Sequence, residues 1–129
     1  MTLAHHELCF GCGNANLFGL QMELEAEGDG VAGRFFLKQD HQGEGGVAHA
    51  GVMASALEEA MGLALHARGL HGRARRLEVS FADEAPVGAF VDVVARVVDD
   101  GDEELTAVAV ASAGELPVAE ARGVFAALD

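Results

Sequence analysis

Over residues 20–27 the apolar Leu20, Met22, Leu24 and Ala26 alternate with Gln21, Glu23, Glu25 and Glu27. A period of two marks a strand with one face against a core. Gly28, Asp29 and Gly30 turn the chain, and residues 31–38 read as the returning strand of a hairpin. A different pattern begins at Ala50. The run AGVMASALEEAMGLALHA is rich in Ala, Leu, Met and Glu and contains no proline, which predicts one long helix over Ala50–Ala67. Residues 69–72 end that helix. Four strands are then predicted, over residues 75–82, 89–99, 105–112 and 117–126, with turn signals at Pro86-Val87-Gly88, Asp99-Asp100-Gly101-Asp102 and Ala113-Gly114.

The order is therefore two strands, a long helix and four strands. Four consecutive strands without intervening helices argue for antiparallel pairing, because each parallel pair would need a crossover. The pattern predicts an α+β fold in which a curved antiparallel sheet of about six strands wraps around one central helix. No linker, repeat or low-complexity tract interrupts it, so residues 1–129 read as a single domain, with residues 1–19 as an N-terminal cap.

The helix is apolar nearly all round, as a buried helix is. Met53, Leu57, Ala60, Met61 and Ala64 form one stripe, while Val52, Ala56 and Leu63 cover another side. Against that background Glu58 and Glu59 require explanation, since burying an unpartnered carboxylate costs several kcal/mol. At about 100° per residue, Glu58 shares a stripe with the small Gly51, Ala54, Ser55 and Gly62 and with Leu65. Small neighbours leave room for a ligand or for close backbone approach. Glu59 instead lies beside the space-filling Val52, Ala56, Leu63 and His66, so Glu58 is the better catalytic candidate and Ser55 a candidate substrate contact. The bland alternative has both carboxylates facing solvent or pairing with a neighbouring subunit's arginine.

The loop over residues 40–49 runs into the helix start, where His49, Ala50 and Gly51 present unpaired amides and the positive end of the helix dipole. Such an end can hold an oxyanion. By helical rise alone Glu58 sits about 12 Å further along the axis, too far for one carbonyl to touch both groups. The sequence thus favours a site shared between two chains, with the amide from one and the carboxylate from the other.

Composition narrows the partners. Eight Lys and Arg against 21 Asp and Glu give a net charge of −13, a field that repels nucleic acid. Trp and Tyr are absent and the seven Phe are scattered, so base-stacking platforms are thin as well. Arg68, Arg73, Arg75 and Arg76 nevertheless cluster within nine residues. They form a candidate anion seat, since guanidinium forks match phosphate oxygens; the competing reading is a solvated strand entrance. No apolar run approaches the ~18 residues of a membrane span, and residues 1–7 lack a secretory pattern, so no membrane association and a cytoplasmic location are expected.

The two cysteines, Cys9 and Cys12, are too close to staple distant parts of a fold. Either His5 or His6 could complete a zinc ligand set with them, but one such pair supplies only half a tetrahedral site. The plainer expectation is a reduced pair packing the cap, with no metal.

Taken together, the runs CFGCGNANLFGLQMELE, DHQGEGGVAHAGVMASALEEAMGLA, RRLEVSFADEAPVG and VAEARGVF resemble hotdog-fold acyl-coenzyme A thioesterases of the phenylacetate-degradation (PaaI-like) group, in the 4-hydroxybenzoyl-coenzyme A thioesterase superfamily. The most specific part is a histidine-glycine-glycine motif opening the central helix, followed by an acidic residue nine positions after the histidine. Here the motif reads His49-Ala50-Gly51, and the ninth position is Glu58. The resemblance implies dimers with one continuous sheet, often paired into tetramers, and active sites at the subunit interface. It implies hydrolysis of an acyl-coenzyme A thioester, with coenzyme A part of the substrate and no separate cofactor. The Ala50 N–H would polarise the thioester carbonyl, with Gly51 as a second donor, and Glu58 would act as general base or nucleophile. His49 would shape the loop, His41 or Gln42 would place water or substrate, and Arg73, Arg75 and Arg76 would receive the coenzyme A phosphates. An acyl carrier protein is disfavoured as donor because both proteins would be acidic. Ala50 also keeps a second class open, a non-catalytic acyl-coenzyme A binding or regulatory module on the same fold. A hydratase is weaker, since no Asp-His pair is spaced for water addition.

Overall fold

A computed structural model describes residues 2–128. Seven strands and one α-helix follow in the order β1 (Thr2–Leu3), β2 (Glu23–Glu27), β3 (Gly30–Phe36), α1 (Ala50–Ala67), β4 (Gly72–Phe81), β5 (Phe90–Asp100), β6 (Glu104–Ala113) and β7 (Leu116–Ala127), with a short 3-10 turn at Gln39–His41. All pairings are antiparallel and the sheet order is β1-β2-β3-β5-β6-β7-β4. This is the α+β arrangement that the polarity pattern predicts, with the two-residue β1 added at one end. The helix occupies the residues expected from sequence.

Part of the sheet's inner face is lined with small side chains, which lets the helix lie close to it. Ala107, Ala109 and Ala111 on β6 are buried, as are Leu57, Ala60, Met61 and Ala64 on α1. At Gly123 on β7 an added Cβ would lie 2.9 Å from the Phe125 ring and 3.0 Å from Met61 Cε, so the absence of a side chain there makes room for both. Gly69, in the left-handed region at φ 72°, closes the helix. Its N–H donates to the His66 carbonyl while the Leu70 N–H reaches the Leu65 carbonyl, the bond pair of a Schellman ending.

The first predicted strand is shorter than its alternation suggests. Leu20, Met22 and Leu24 are buried as expected, but Gln21 has φ 49° and strand pairing begins only at Glu23. The backbone of residues 20–22 is taken by the N-terminal segment instead, with the Leu20 N–H bonded to the Phe10 carbonyl and the Met22 N–H to the Gly11 carbonyl.

At the opposite end of the sheet, β4 is an edge strand of ten residues, nearly all exposed. Leu77 and Phe81 on it are exposed, on the same face as the half-buried Val79. A long edge strand with apolar side chains is the kind of surface that proteins cover or pair.

His41 links the turn to the core. Its Nδ1 accepts the Lys38 N–H at 3.0 Å, its Nε2–H donates to the Gly19 carbonyl at 3.3 Å, and the side chain is buried. Burial holds the imidazole below its usual 6.5, so just below that pH the unfolded chain binds more protons than the folded one. The contribution of His41 to stability should therefore fall as pH drops below about 6.5. The His41 resonance, followed by NMR between pH 7.5 and 5.5, checks this. A titration at or above 6.5 contradicts it.

Candidate active site

The accessible surface of α1 includes most of the stripe singled out from sequence, except that its Leu65 is buried and Val52, expected on the other side, is accessible as well. Val52, Ala54, Ser55, Glu58 and Gly62 are half-buried and Gly51 exposed, whereas Met53, Ala56, Leu57, Glu59, Ala60, Met61, Leu63, Ala64 and Leu65 are buried. Glu58 has no hydrogen bond or ion pair among the described residues. Burial, and after it the neighbouring Glu59 carboxylate, hold its carboxyl above the ordinary value, against the opposing pull of His5. The remainder of the stripe is divided. Ser55 Oγ donates to the Gly51 carbonyl at 2.8 Å, and Gly62 provides the close approach for the His5 ring, whose Cε1 lies 3.3 Å from where a Cβ would be.

The helix start is held by its own cap. His49 is the N-cap at φ −62° and ψ 135°, and its Nδ1 accepts the Gly51 N–H at 2.8 Å. The Gly51 amide is thereby committed, which corrects its expected availability as a second donor. The exposed Ala50 N–H has no acceptor among the described residues. A depression of about 530 Å³ opens at this end, lined by His49, Ala50, Met53, Phe81, Ala85 and Val118 among others. Glu58 does not line it, in keeping with the distance set by helical rise.

Two expected substrate contacts make hydrogen bonds to backbone, fully for His41 and in part for Gln42. His41 has both ring nitrogens bonded to backbone within the core, which leaves none for water or substrate. Gln42 ties its own loop together, Nε2 donating to the Gln39 carbonyl at 2.9 Å and Oε1 accepting the Gly46 N–H at 2.7 Å. In the arginine cluster, Arg68 pairs with Asp100 at 3.1 Å and Arg76 with Glu78 at 3.4 Å, all exposed. Arg73 and Arg75 are exposed without an ion pair among the described residues, and Arg75 falls where the β4–β7 register shifts between Ala74 and Arg76.

The second carboxylate has partners that the sequence reading does not foresee. Glu59 is buried, its Oε2 lies 2.8 Å from His5 Nδ1, and its Oε1 accepts from Cys9 Sγ at 3.4 Å. Burial alone would push the Glu59 carboxyl up, but hydrogen bonds from His5 and the cysteines outweigh it and hold the carboxyl low. The same Glu59 bond lifts His5 to about 9 against the effect of burial. Burial also pushes the Cys12 thiol far up. The signal that could have found this arrangement is the requirement itself: a carboxylate on the space-filling side of the helix needs donors, and the cap supplies a histidine and thiols.

A curved antiparallel sheet wrapped around one helix defines a hotdog-fold protein. Residues 45–116, more than half of the chain, match the thioesterase superfamily, and the chain belongs to that family. No curated protein matches. Among solved structures, a hypothetical thioesterase from Streptococcus pneumoniae TIGR4 with coenzyme A is similar at 18% identity and TM-score 0.77, covering 82% of this chain and 87% of that one. A Streptococcus mutans UA159 protein bound to acetyl CoA is similar at 16% identity and TM-score 0.78, with 83% and 88% covered. A conserved Pseudomonas aeruginosa protein reaches 27% identity and TM-score 0.75, with 84% and 90% covered.

The cap bond makes one prediction. Replacing His49 with Ala should lower stability by about 1 kcal/mol, the usual worth of an N-cap, whereas His49→Asp should restore most of it. Denaturant unfolding of the three proteins checks this, and equal midpoints for all of them contradict it.

Proposed function

We propose that this protein hydrolyses an acyl-coenzyme A thioester to the free acid and coenzyme A, as one hotdog unit that works in a dimer. The observation that carries the reading is Glu58, a half-buried carboxylate with no partner among the described residues, on the least covered face of a buried helix. A raised carboxyl pKa suits a general base near neutral pH. Glu58 either takes a proton from water as it attacks the thioester carbon or attacks that carbon itself to give a mixed anhydride. The Ala50 N–H stabilises the negative charge that develops on the carbonyl oxygen, aided by the dipole of α1.

Geometry supports a shared site. Within one chain about 12 Å of helix separates the amide from the carboxylate. The exposed edge of β4 supports the dimer that would bring them together, because pairing it with a second copy would continue the sheet and cover Leu77 and Phe81. Pairs of such dimers would make the tetramer. Arg73 and Arg75, exposed on that strand, are suited to coenzyme A phosphates, with Arg76 beside them. The coenzyme A and acetyl CoA held by the two streptococcal proteins of similar fold support the choice of ligand. The narrower likeness to the phenylacetate-degradation group rests on residues 9–25, 40–64, 75–88 and 118–125. A reducing compartment such as the cytoplasm suits the free thiols of Cys9 and Cys12.

The Ala50 donor can be removed cleanly. Proline is favoured at the first position of a helix, and His49 already has the extended conformation that a following proline requires. In a thiol-release assay over a panel of acyl-coenzyme A esters, Glu58→Gln should lower kcat roughly 100- to 10,000-fold. Ala50→Pro should lower it roughly 100- to 1,000-fold. Substrate binding and the circular dichroism spectrum should be retained in both. Binding without turnover in the wild type would favour the non-catalytic module, and undiminished turnover in Glu58→Gln would remove the carboxylate from the mechanism.

A further inference from the structure

The donor atoms around Glu59 have a geometry that hydrogen bonding alone does not require. His5, Cys9, Cys12 and Glu59 each offer one ligand atom, and all of these lie within 4.8 Å of one another. Three of the separations are 2.8 Å from His5 Nδ1 to Glu59 Oε2, 3.4 Å from Cys9 Sγ to Glu59 Oε1 and 3.7 Å from Cys12 Sγ to His5 Nδ1. The edges of a tetrahedron around zinc, with bonds of about 2.0–2.3 Å, run from roughly 3.3 to 3.8 Å. Small shifts of these side chains would place every donor at a bonding distance from one central ion.

The surrounding backbone is shaped for the same purpose. The His5 N–H points at Cys12 Sγ at 3.2 Å and the Cys12 N–H at Cys9 Sγ at 3.5 Å, so both sulfurs receive the outer hydrogen bonds that stabilise metal thiolates. The two glycines of CFGCG are sterically required there. A Cβ at Gly11 would lie 2.3 Å from Glu59 Cγ, and one at Gly13 would lie 2.4 Å from the Cys9 nitrogen. The loop is thus folded tightly enough to press its thiols onto the carboxylate. Cys12 and Glu59 are buried and Cys9 is half-buried, while His5 remains open to solvent and gives an ion a way in.

We propose that these four residues bind one divalent, thiolate-preferring transition metal ion, zinc in the first instance. Two thiolates, an imidazole and a carboxylate in a tetrahedron are a donor set that zinc accepts and that magnesium or calcium does not. Binding displaces the protons of both thiols and the His5 Nδ1 proton to solvent. With four protein ligands the coordination sphere is closed, so the ion does not perform the hydrolysis. It clips residues 5–12 to the turn of α1 that carries Glu58, replacing the ion pair of His5 with Glu59. The inference is independent of the thioesterase reading, and its test measures no turnover.

The test uses the full chain without a polyhistidine tag, grown with zinc and purified without chelator. Elemental analysis should find close to one zinc per chain, released when a mercurial caps the thiols. After chelator stripping, cobalt(II) should restore one equivalent with tetrahedral visible bands and near-ultraviolet thiolate charge transfer. Cys12→Ser and Glu59→Gln should weaken cobalt binding by at least about 10- to 100-fold, the loss already typical of disturbing an outer-shell partner. Should those variants fail to fold, the wild type still decides: zinc should raise its thermal midpoint by at least about 5 °C over the stripped chain, the shift of a small domain that gains a tightly bound ligand. A stripped wild-type chain that is folded but takes up no cobalt, or gains no stability with zinc, overturns the proposal. So does cobalt bound equally by a folded Cys9→Ser/Cys12→Ser variant.

Discussion

Burying α1 sets the terms for everything else in this molecule. A helix apolar on most of its circumference must be covered by the sheet, and Glu58 and Glu59 lie in its middle, pointing about 100° apart. One of them goes into the interior with the helix. An uncompensated buried carboxylate would cost several kcal/mol, so Glu59 needs donors, and the cap brings His5 and Cys9 to it. The cap therefore neutralises a charge as well as covering the helix.

Settling Glu59 in this way leaves Glu58 different from it in every respect. Gly51, Ala54 and Ser55 on its stripe are small and only partly covered, while His5 packs against Gly62 further along. The helix start, with a committed Gly51 amide and an uncommitted Ala50 amide, belongs to the same open side but lies about two turns away. On the proposed reading, each protomer holds two separated halves of an acyl-transfer site. The apolar edge of β4 makes a second protomer the natural way to join them. Ala50, where the resemblance expects a glycine, leaves the backbone donor intact.

Much of this was legible in the sequence because it depends on short-range periodicity. The helix bounds, the hairpin around Gly28 and the four C-terminal strands follow from repeating apolar positions and turn residues, and the Glu58 stripe follows from helical geometry. Contacts between segments far apart in the chain were not. Glu59 meets a histidine 54 positions away, and no local pattern reports that distance; its neighbours along the helix suggested packing, which is true of them and not of it. His41 and Gln42 look like site residues because they are polar and lie in a glycine-rich loop near the helix start. Only the folded chain shows their hydrogen-bonding groups turned to backbone. The shortened first strand has the same origin, since the cap competes for the backbone of residues 20–22.

The most direct measurement of the central claim, that the amide and the carboxylate come from different chains, is complementation between Ala50→Pro and Glu58→Gln chains refolded together in equal amounts. Random pairing makes half of the dimers hybrid, and each hybrid has one intact site of two, so the mixture should recover about a quarter of wild-type thioester hydrolysis, well above the residual activity of either variant alone. A mixture no more active than its separate components, with hybrid dimers demonstrated by mass spectrometry, would contradict the shared site.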